Sequence, residues 1–282
     1  MSDIKDVLGT RMKVYEGVEA QRRLMPGLPA MIRLDGRSFH TFTKGLIRPF
    51  DPGLMGLMQN VTELLVKESN ARIGYTQSDE ISLVLYSDSF ESQLYFDGRI
   101  QKITSSLAAF ASVHFNLLMP KYLPNKKVGR APTFDCRVWN VPDLEEAANC
   151  IMWREWDATK NSVSMAAQAV CSHKELHGLN GLEQKQMLLQ RGIDWDKYPP
   201  QCKRGTFIRR TTTTAPFTAE DLEALPPGHN ARKNPGLSVT RSKIEPIVYP
   251  PLATVANRVK ALFFGGTAYT EEEFNTMMGP MP

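Results

Sequence analysis

The chain is organised around the stretch Met31-Ile-Arg-Leu-Asp-Gly-Arg-Ser-Phe-His40. The apolar run from Ala30 to Leu34 predicts a short strand, and the Asp-Gly pair that follows predicts a turn. Such a strand delivers the carboxylate of Asp35 to one edge of a sheet. Asp-Gly after a strand is usually only a turn, so this stretch alone does not decide between a structural and a functional aspartate.

A second stretch, Gln77-Ser-Asp-Glu80, lies between the runs 72–76 and 81–86. Both runs predict strands, and the connection predicts a hairpin whose turn holds Asp79 clear of the core. When the first strand lies beside this hairpin, Asp35 and Asp79 meet at one sheet edge. Two carboxylates that meet repel each other unless a cation lies between them, and hard divalent cations prefer such oxygen ligands. The two stretches therefore predict a metal site, with solvated turns as the structural alternative.

The composition permits an anionic partner but does not require one. The 282 residues carry a formal net charge of +4, and 42% of them are hydrophobic, which is enough for a sizeable core. The cysteines at positions 136, 150, 171 and 202 lack paired CxxC spacing, so they predict reduced thiols. Cys171 with His173 and His177 lacks a fourth ligand within reach, which argues against a zinc site there.

The hydropathy of the sequence predicts a cytoplasmic protein without a membrane span. Residues 1–6 are charged and lack the apolar core of a signal peptide. No apolar run approaches the roughly 20 residues that a membrane helix needs. We therefore expect no membrane partner.

The order of the predicted elements indicates an α+β fold with a ferredoxin-like core. Residues 3–25 predict a charged helix that either covers the sheet or contacts another subunit. Asp51-Pro52 predicts the capped start of a second helix, residues 89–118 a third, and residues 134–139 a strand. The order strand, helix, strand, strand, helix, strand folds as an antiparallel or mixed sheet with both of the intervening helices on one face.

Four blocks together resemble a family signature. They are Arg33-Leu-Asp-Gly-Arg37 with Phe39-His40, Arg48-Pro49, Asp51, and Gln77-Ser-Asp-Glu80. Their order and spacing resemble those of the tRNA-histidine guanylyltransferase family and its bacterial, archaeal and viral relatives, and the resemblance extends less closely to about Arg210. It implies the core of polymerase palm domains, which class III nucleotide cyclases share. Fold alone does not fix function.

The resemblance implies a tRNA 5′-end nucleotidyltransferase that adds nucleotides in the 3′–5′ direction. ATP first activates the 5′-monophosphate, and the 3′-hydroxyl of GTP then attacks that end and releases AMP. By resemblance, Asp35 and Asp79 are catalytic and hold two Mg2+ ions together with the carbonyl oxygen of Gly36. Two alternatives remain open: a palm-fold nucleotide cyclase that acts on a free nucleotide, and a non-catalytic RNA-binding module.

Further side chains are expected to bind nucleotide because of their positions in the family. Arg48, Arg99 and Lys102 are expected to neutralise phosphates, Ser78 to hydrogen-bond to a phosphate, and Glu80 to support the metal ligands. The residues alone explain Arg99 and Lys102 equally well as solvated cations on one helix face. The complete expected set is Arg33, Arg37, Phe39, His40, Arg48, Ser78, Glu80, Arg99 and Lys102, in which Phe39 and His40 stack on a base.

One block departs from the family pattern. Trp153-Arg-Glu-Trp-Asp-Ala-Thr-Lys-Asn-Ser162 has Thr159, Lys160 and Ser162 where the family has histidine, isoleucine and asparagine. In the eukaryotic enzymes this block serves tRNA-histidine recognition, so its change favours templated repair of 5′ ends over strict specificity. The residues expected to bind RNA are Asp157 and Asn161, which the block retains, and Lys203 and Arg204.

The chain divides into three predicted regions. Residues 1–140 form a palm-like catalytic domain, and residues 141–210 complete it with helices and a basic strand. Lys203 and Arg204 cluster there with Arg209 and Arg210, and a solvated charged strand is the alternative to a phosphate contact. Residues 211–282 are rich in proline and predict an extended tail, with a short helix or strand at 255–264. The resemblance also implies a homotetramer that binds tRNA and nucleoside triphosphates.

Overall fold

The strand predicted at Ala30 lies inside an antiparallel sheet in the computed structural model, which describes residues 2–87, 93–234 and 236–278. This strand, β1 (Ala30–Gly36), is followed along the chain by β2 (Ile73–Gln77), β3 (Glu80–Leu85) and β4 (Phe134–Asn140). They lie in the order β4-β1-β3-β2, and each pairs antiparallel with its neighbour. This order is that of a ferredoxin-like core, so the predicted α+β fold is confirmed.

Four helices precede or separate these strands: α1 (Ser2–Ala20), α2 (Phe39–Phe42), α3 (Pro52–Ser69) and α4 (Ile100–Tyr122). The helices that lie between the strands, α2 to α4, cover one face of the sheet. The side chain of Asp51 accepts a hydrogen bond from the Leu54 backbone at 2.9 Å, which confirms the predicted cap of α3. Ile32 and Leu34 pack against α3 and α4 because alternate strand residues point to the same face.

The opposite face of the sheet is covered by the elements that follow β4. They begin with α5 (Leu144–Val170), α6 (His173–Leu176), α7 (Gly181–Gln190) and α8 (Pro200–Arg204). Met31, Tyr75 and Val84 point to this side and pack with Ile151 of α5. The sheet therefore has a core on each face, and α5 runs from the far end of β4 toward the end that carries Asp35.

The carboxyl-terminal third is folded onto the sheet, so the prediction of an extended tail is wrong. It contains β5 (Thr206–Pro216), α9 (Ala219–Ala224), α10 (Asn230–Lys233), β6 (Ser238–Ile247), α11 (Arg258–Phe263) and α12 (Glu271–Met278). Residues 207–216 pair with β6, and β5 pairs with β2, which extends the sheet to six strands. The predicted boundary between the second and third regions, after residue 210, falls inside β5. Four successive threonines at positions 211–214 favour a strand, but the frequent prolines that follow led to the prediction of an irregular segment.

The long helix predicted at 89–118 begins later in the structure. Residues 89–92 lie outside the described residues, Tyr95–Gly98 is a 3-10 turn, and α4 starts at Ile100. By length and composition α4 is apolar enough to cross a membrane, contrary to the expectation that no segment reaches this limit. Its stripe of Ile103, Leu107 and Phe115 is fully buried against the sheet, as in the core helix of a globular fold.

Helix α1 does not cover the sheet. It ends at Ala20, before the expected Pro26, and its apolar side chains are exposed. The exposed fractions of Val7, Val14 and Val18 are 67%, 59% and 68%. The expectation that this helix covers the sheet is therefore wrong, and the expectation that it contacts another subunit stays a prediction.

Candidate active site

Two carboxylates meet at one end of the sheet, as the two sequence blocks predicted. Asp35 lies within β1 rather than in a turn, opposite Glu80 of β3 in the strand register. The next residue, Gly36, donates its backbone N–H to the carbonyl oxygen of Asp79 at 3.0 Å. This hydrogen bond joins the end of β1 to the hairpin turn, so the two aspartates are held on neighbouring segments.

The environment of Asp79 disfavours its charged form. Burial is the main cause of a raised pKa for this carboxyl, and the nearby carboxylates of Asp35 and Glu80 raise it further. The hydroxyl of Ser78 donates a hydrogen bond to the carboxylate at 3.1 Å and partly opposes the shift. Burial and the neighbouring carboxylates therefore act in the same direction on Asp79.

The donor atoms at this edge fit Mg2+. They are carboxylate oxygens and the adjacent Gly36 carbonyl, and Mg2+ takes few protein ligands because it keeps waters and substrate phosphate oxygens. Among the residues that the structure describes, no group of three or more His, Cys, Asp or Glu side chains forms a metal cage. A Cβ atom on Gly36 would lie 2.4 Å from the Phe39 ring, so only glycine fits here.

Glu80, which lies opposite Asp35 in the register, is paired with Arg154, a residue that sequence reasoning did not select. The guanidinium donates to both carboxylate oxygens of Glu80 at 2.6 Å and to Asp157 at 3.0 Å. Asn161 donates to the same carboxylate of Asp157 at 3.1 Å. Glu80 thus supports the hairpin instead of facing a nucleotide. Asp157 and Asn161 belong to this network, although both were expected to bind RNA.

A cavity of about 420 Å³ borders the hairpin turn at Ser78. Its volume is within the range of small-molecule sites. His40, Arg48 and Ser78 line it, so the structure brings these three expected nucleotide-binding residues together. Sequence reasoning missed other lining residues because they come from separate elements without a shared motif: Met55, Ser162, Met165, Gln168, Gln201 and Cys202.

Phe39 lies in the core, which corrects the prediction that it stacks on a base. Its side chain is 3% exposed, and its ring centroid lies 5.2 Å from that of Phe42. Phe115 and Phe134 complete the contact at 5.3 and 5.2 Å. This cluster fixes the chain just after β1 and leaves no free ring face. His40 is exposed at the cavity and remains available.

Arg99 and Lys102 lie at the opposite end of the sheet from the aspartates, which corrects their assignment to this site. They stand at the start of α4, where the Leu24 backbone donates to Gly98 at 2.8 Å. Phe115, farther along α4, touches the Phe39 ring beside the site. The 13 residues from Lys102 to Phe115 span about 20 Å of helix. Within one chain the two cations do not reach the carboxylates.

The basic cluster near β5 is occupied by internal contacts, which corrects its assignment to RNA. Arg204 donates to the buried carboxylate of Glu155 and to the Tyr249 carbonyl, both at 2.8 Å. Arg209 and Arg210 donate to backbone carbonyls of α11 and α3. The ammonium group of Lys203 donates to the Asp196 carbonyl at 2.6 Å. These side chains hold the carboxyl-terminal region in place.

The remaining two expected residues flank Asp35 in the chain, Arg33 half-buried and Arg37 exposed. Arg33 points to the α5 side of the sheet, where its guanidinium lies 6.0 Å from the centre of the Trp153 ring. Arg37 is exposed and is anchored through its backbone N–H, which donates to the Thr133 carbonyl at 2.8 Å. The two arginines are thus two residues before and two residues after Asp35 in the chain.

A ferredoxin-like core that carries paired carboxylates at the end of its first strand and at its hairpin defines a palm-type nucleotidyltransferase. The family model of Thg1, tRNAHis guanylyltransferase, matches residues 9–142. The chain belongs to the tRNAHis guanylyltransferase family.

Relatives with known structures extend this match beyond residue 142. A bacterial tRNA(His) guanylyltransferase (Thg1)-like protein in complex with ATP is 37% identical, over 72% of this chain and 86% of that chain, with a TM-score of 0.67. A bacterial Thg1-like protein in complex with GTP is 30% identical, over 88% of this chain and 94% of that chain, with a TM-score of 0.67. The tRNA(His) guanylyltransferase of Saccharomyces cerevisiae is 25% identical over 66% of this chain and 84% of its own length.

Proposed function

We propose that this chain adds nucleotides to the 5′ end of tRNA in the 3′–5′ direction, with ATP as the activating nucleotide and GTP as the preferred addition. Family membership supports the reaction, and the solved structures of relatives in complex with ATP and with GTP support the nucleotides. The observation that carries the proposal is the pair Asp35 and Asp79, bordered by a cavity of nucleotide size.

The proposed reaction has two transfers that use the same edge of the sheet. In the first, a 5′-phosphate oxygen of the RNA attacks the α-phosphorus of ATP, and pyrophosphate leaves. In the second, the 3′-hydroxyl of GTP attacks the phosphorus of the activated 5′ end, and AMP leaves. The product has one more nucleotide and a 5′-triphosphate. Both transfers are in-line displacements at phosphorus, so one set of charged groups serves both.

Asp35, Asp79 and the Gly36 carbonyl are the groups that would hold Mg2+. When bound, the metal supplies charge neutralisation at the phosphates and an activated hydroxyl. Arg48 and Ser78 line the cavity beside Asp79, where they are placed to bind the triphosphate. Arg154 keeps Glu80 in an ion pair, so that the free negative charge at the edge belongs to the two aspartates.

We propose templated repair of 5′ ends as the broader activity. Two of the three changed residues of the departing block are engaged within α5 itself: Thr159 donates to the Glu155 carbonyl at 2.8 Å, and Ser162 donates to the Thr159 carbonyl at 2.7 Å. The third, Lys160, is exposed. Ser162 also lines the cavity. This arrangement supports a role in the helix and in the cavity wall, and not in the recognition of one tRNA.

The test supplies purified protein with Mg2+, ATP and labelled GTP. One reaction contains 5′-monophosphorylated tRNA-histidine, and a second contains a 5′-truncated tRNA of another type. Label on the truncated tRNA that depends on the opposite template base supports repair. Label on tRNA-histidine alone supports the specialised enzyme. A cyclic nucleotide without labelled RNA would replace the proposal by the cyclase alternative.

We further propose that copies of the chain assemble, with a homotetramer as the expected state. Support comes from α1, whose exposed apolar side chains form one broad stripe. Exposed stripes of this kind mark interaction surfaces. The stripe consists of Val7, Leu8, Met12, Val14, Tyr15 and Val18, which are 44–68% exposed. Light scattering of the purified protein tests the state, and a monomer at micromolar concentration would contradict it. A cytoplasmic location stays a prediction.

A further inference from the structure

Part of the sheet surface on the α5 side is left open beside the aspartates. Arg33 and Asp35 of β1 point to this side because alternate strand residues share a face. They lie opposite Arg137 and Asp135 of β4 in the register. The side chains of Arg137 and Asp135 are 53% and 51% exposed and lie 3.5 Å apart. The open surface therefore carries two guanidinium groups next to the proposed reaction centre.

An exposed indole borders this open surface. Trp153 of α5 is 51% exposed, although it is among the largest apolar side chains. The guanidinium of Arg154 lies 4.6 Å from the ring centre, and that of Arg33 lies 6.0 Å away. Arg154 is itself fixed by Glu80 and Asp157. Two guanidinium groups thus lie near the ring, while half of its surface remains in solvent.

An indole in this setting has the properties of a nucleobase platform. Aromatic rings stack on bases of any sequence, and neighbouring arginines add cation–π and phosphate contacts. Arg33 precedes Asp35 by two residues, about 7 Å along a strand. A phosphate near the aspartates and a base near Trp153 are therefore within the span of one nucleotide.

We propose that Trp153 stacks on the nucleobase at the 5′ end of the RNA substrate while its phosphate lies at Asp35 and Asp79. This inference rests on the proposed function and names the group that positions its RNA. The free nucleotide has another place, the cavity at Ser78, which residues 158–169 of α5 line farther along the helix. Arg33 and Arg137 lie on the path of the adjoining phosphates.

The chain contains a matched control for this proposal. Trp156 lies three residues later on α5 and is 53% exposed. Among the residues that the structure describes, guanidinium groups lie over the ring of Trp153 and not over that of Trp156. A general effect of removing an exposed tryptophan should therefore appear equally in both variants, whereas loss of the platform should appear only at Trp153.

The experiment measures the Kd of a 5′-monophosphorylated acceptor-stem hairpin by fluorescence anisotropy, and the Kd of ATP by calorimetry. Trp153→Leu should weaken RNA binding by about ten-fold because one stacked base is lost. Trp153→Phe should retain most of the affinity, and Trp156→Leu all of it. The Kd of ATP should stay unchanged in each. A thermal melt of each variant confirms that it is folded.

The dependence on salt separates stacking from charge. Trp153→Leu should leave the slope of log Kd against log salt unchanged, whereas Arg137→Ala should reduce it by about one. Equal losses in the two tryptophan variants, or an unchanged RNA affinity in Trp153→Leu, would overturn the platform.

The outcomes also separate this inference from the proposed function. If the wild-type protein extends RNA and the Trp153→Leu variant binds the RNA hairpin with the same Kd as the wild type, the platform alone is refuted. Wild-type protein that binds RNA through Trp153 but transfers no nucleotide refutes the proposed function alone. Wild-type protein without affinity for the hairpin refutes both.

Discussion

Two charged regions of this chain look equivalent in the sequence and differ in the fold. The acidic edge, Asp35 and Asp79, and the basic cluster around Arg204 and Arg209 each concentrate one sign of charge. In the fold the arginines have internal partners: Arg204 pairs with Glu155, and Arg209 donates to two backbone carbonyls. Burial raises the pKa of Asp79, and the neighbouring carboxylates of Asp35 and Glu80 raise it further.

The difference identifies the region that needs a ligand. A buried charge that finds its partner inside the chain contributes to architecture, because removal of the partner leaves it unsatisfied. Like charges held together without a partner are costly and recur at functional sites. The fold therefore points to the acidic edge for chemistry and to the basic cluster for structure. The predictions below test this contrast, from the largest expected effect to the smallest.

Asp79→Asn should abolish nucleotide addition. The amide keeps the shape of the side chain but removes the charge that would hold Mg2+, so both transfers should fall by at least about a thousand-fold. Release of pyrophosphate measures the first transfer, and incorporation of labelled GTP into RNA measures the second. Asn161→Ala, on the exposed side of the Arg154 network, is the control and should retain most activity. Persistence of either transfer in Asp79→Asn would contradict a shared site.

Arg204→Ala should destabilise the fold and act on RNA only through that loss. Glu155 is 1% exposed, and a buried carboxylate without its partner costs about 3 kcal/mol. Burial raises the pKa of Glu155, whereas Arg204 lowers it. The loss should therefore be smaller at pH 5 than at pH 8, since protonation relieves the unpaired charge. Urea unfolding measures the free energy.

A double variant, Arg204→Met with Glu155→Leu, distinguishes pairing from packing. It removes both charges, so it should recover much of the stability that Arg204→Ala loses. If Arg204→Ala is as stable as the wild type and binds RNA more weakly, Arg204 contacts RNA, and its assignment to a purely structural role is wrong.

Arg154→Ala should reduce activity by about 10- to 100-fold, the usual effect of removing a group that orients metal ligands. Without this guanidinium, Glu80 adds a third unneutralised carboxylate next to Asp35 and Asp79. The Mg2+ concentration for half-maximal rate should change, whereas the Kd of ATP should not. Arg154→Lys retains charge but not the two-pronged contact, so it should recover activity only in part. An unchanged Mg2+ dependence would make Arg154 a purely structural residue.

Asp79→Asn should also be slightly more stable than the wild type at pH 7 without Mg2+. The pKa of Asp79 is higher in the folded state than its ordinary value. Its ionisation therefore costs stability as the pH rises, and stability is restored below the unfolded pKa. The difference in Tm between Asp79→Asn and the wild type should become smaller as the pH falls toward about 4, because Asp79 is then increasingly protonated in both states. Mg2+ should raise the Tm of the wild type and not of the variant. A less stable variant at pH 7 would contradict this account.

The local signals in the sequence were sufficient for the core and for the paired aspartates. The apolar run before Asp35, the hairpin and the capped start of α3 each depend on neighbouring residues. The fate of Arg204 depends on Glu155, 49 residues away, which no local pattern reveals. Phe39 was misjudged because an exposed loop and a buried one-turn helix look alike in sequence.

The assignment of Arg99 and Lys102 failed for a different reason. Their helix face was predicted from spacing, but spacing does not state which end of a helix lies at the site. β3 ends at Leu85, at the far end of the sheet from Asp35, and α4 begins at Ile100 and runs back toward the site. These two expected nucleotide ligands could therefore be placed only after the topology was known.

Lys102→Ala should have the smallest effect. The side chain is exposed and lies about 20 Å of helix from the Phe115 contact beside the site. In an isolated chain, the KM for ATP should stay within about two-fold of the wild type. A large increase in KM would mean that Lys102 reaches a triphosphate bound by another copy. Mixing inactive Asp79→Asn with Lys102→Ala would then restore activity in mixed assemblies, because one copy supplies the carboxylates and the other the lysine. Failure to restore activity, with KM raised, would contradict both the placement of Lys102 and its use across a subunit boundary.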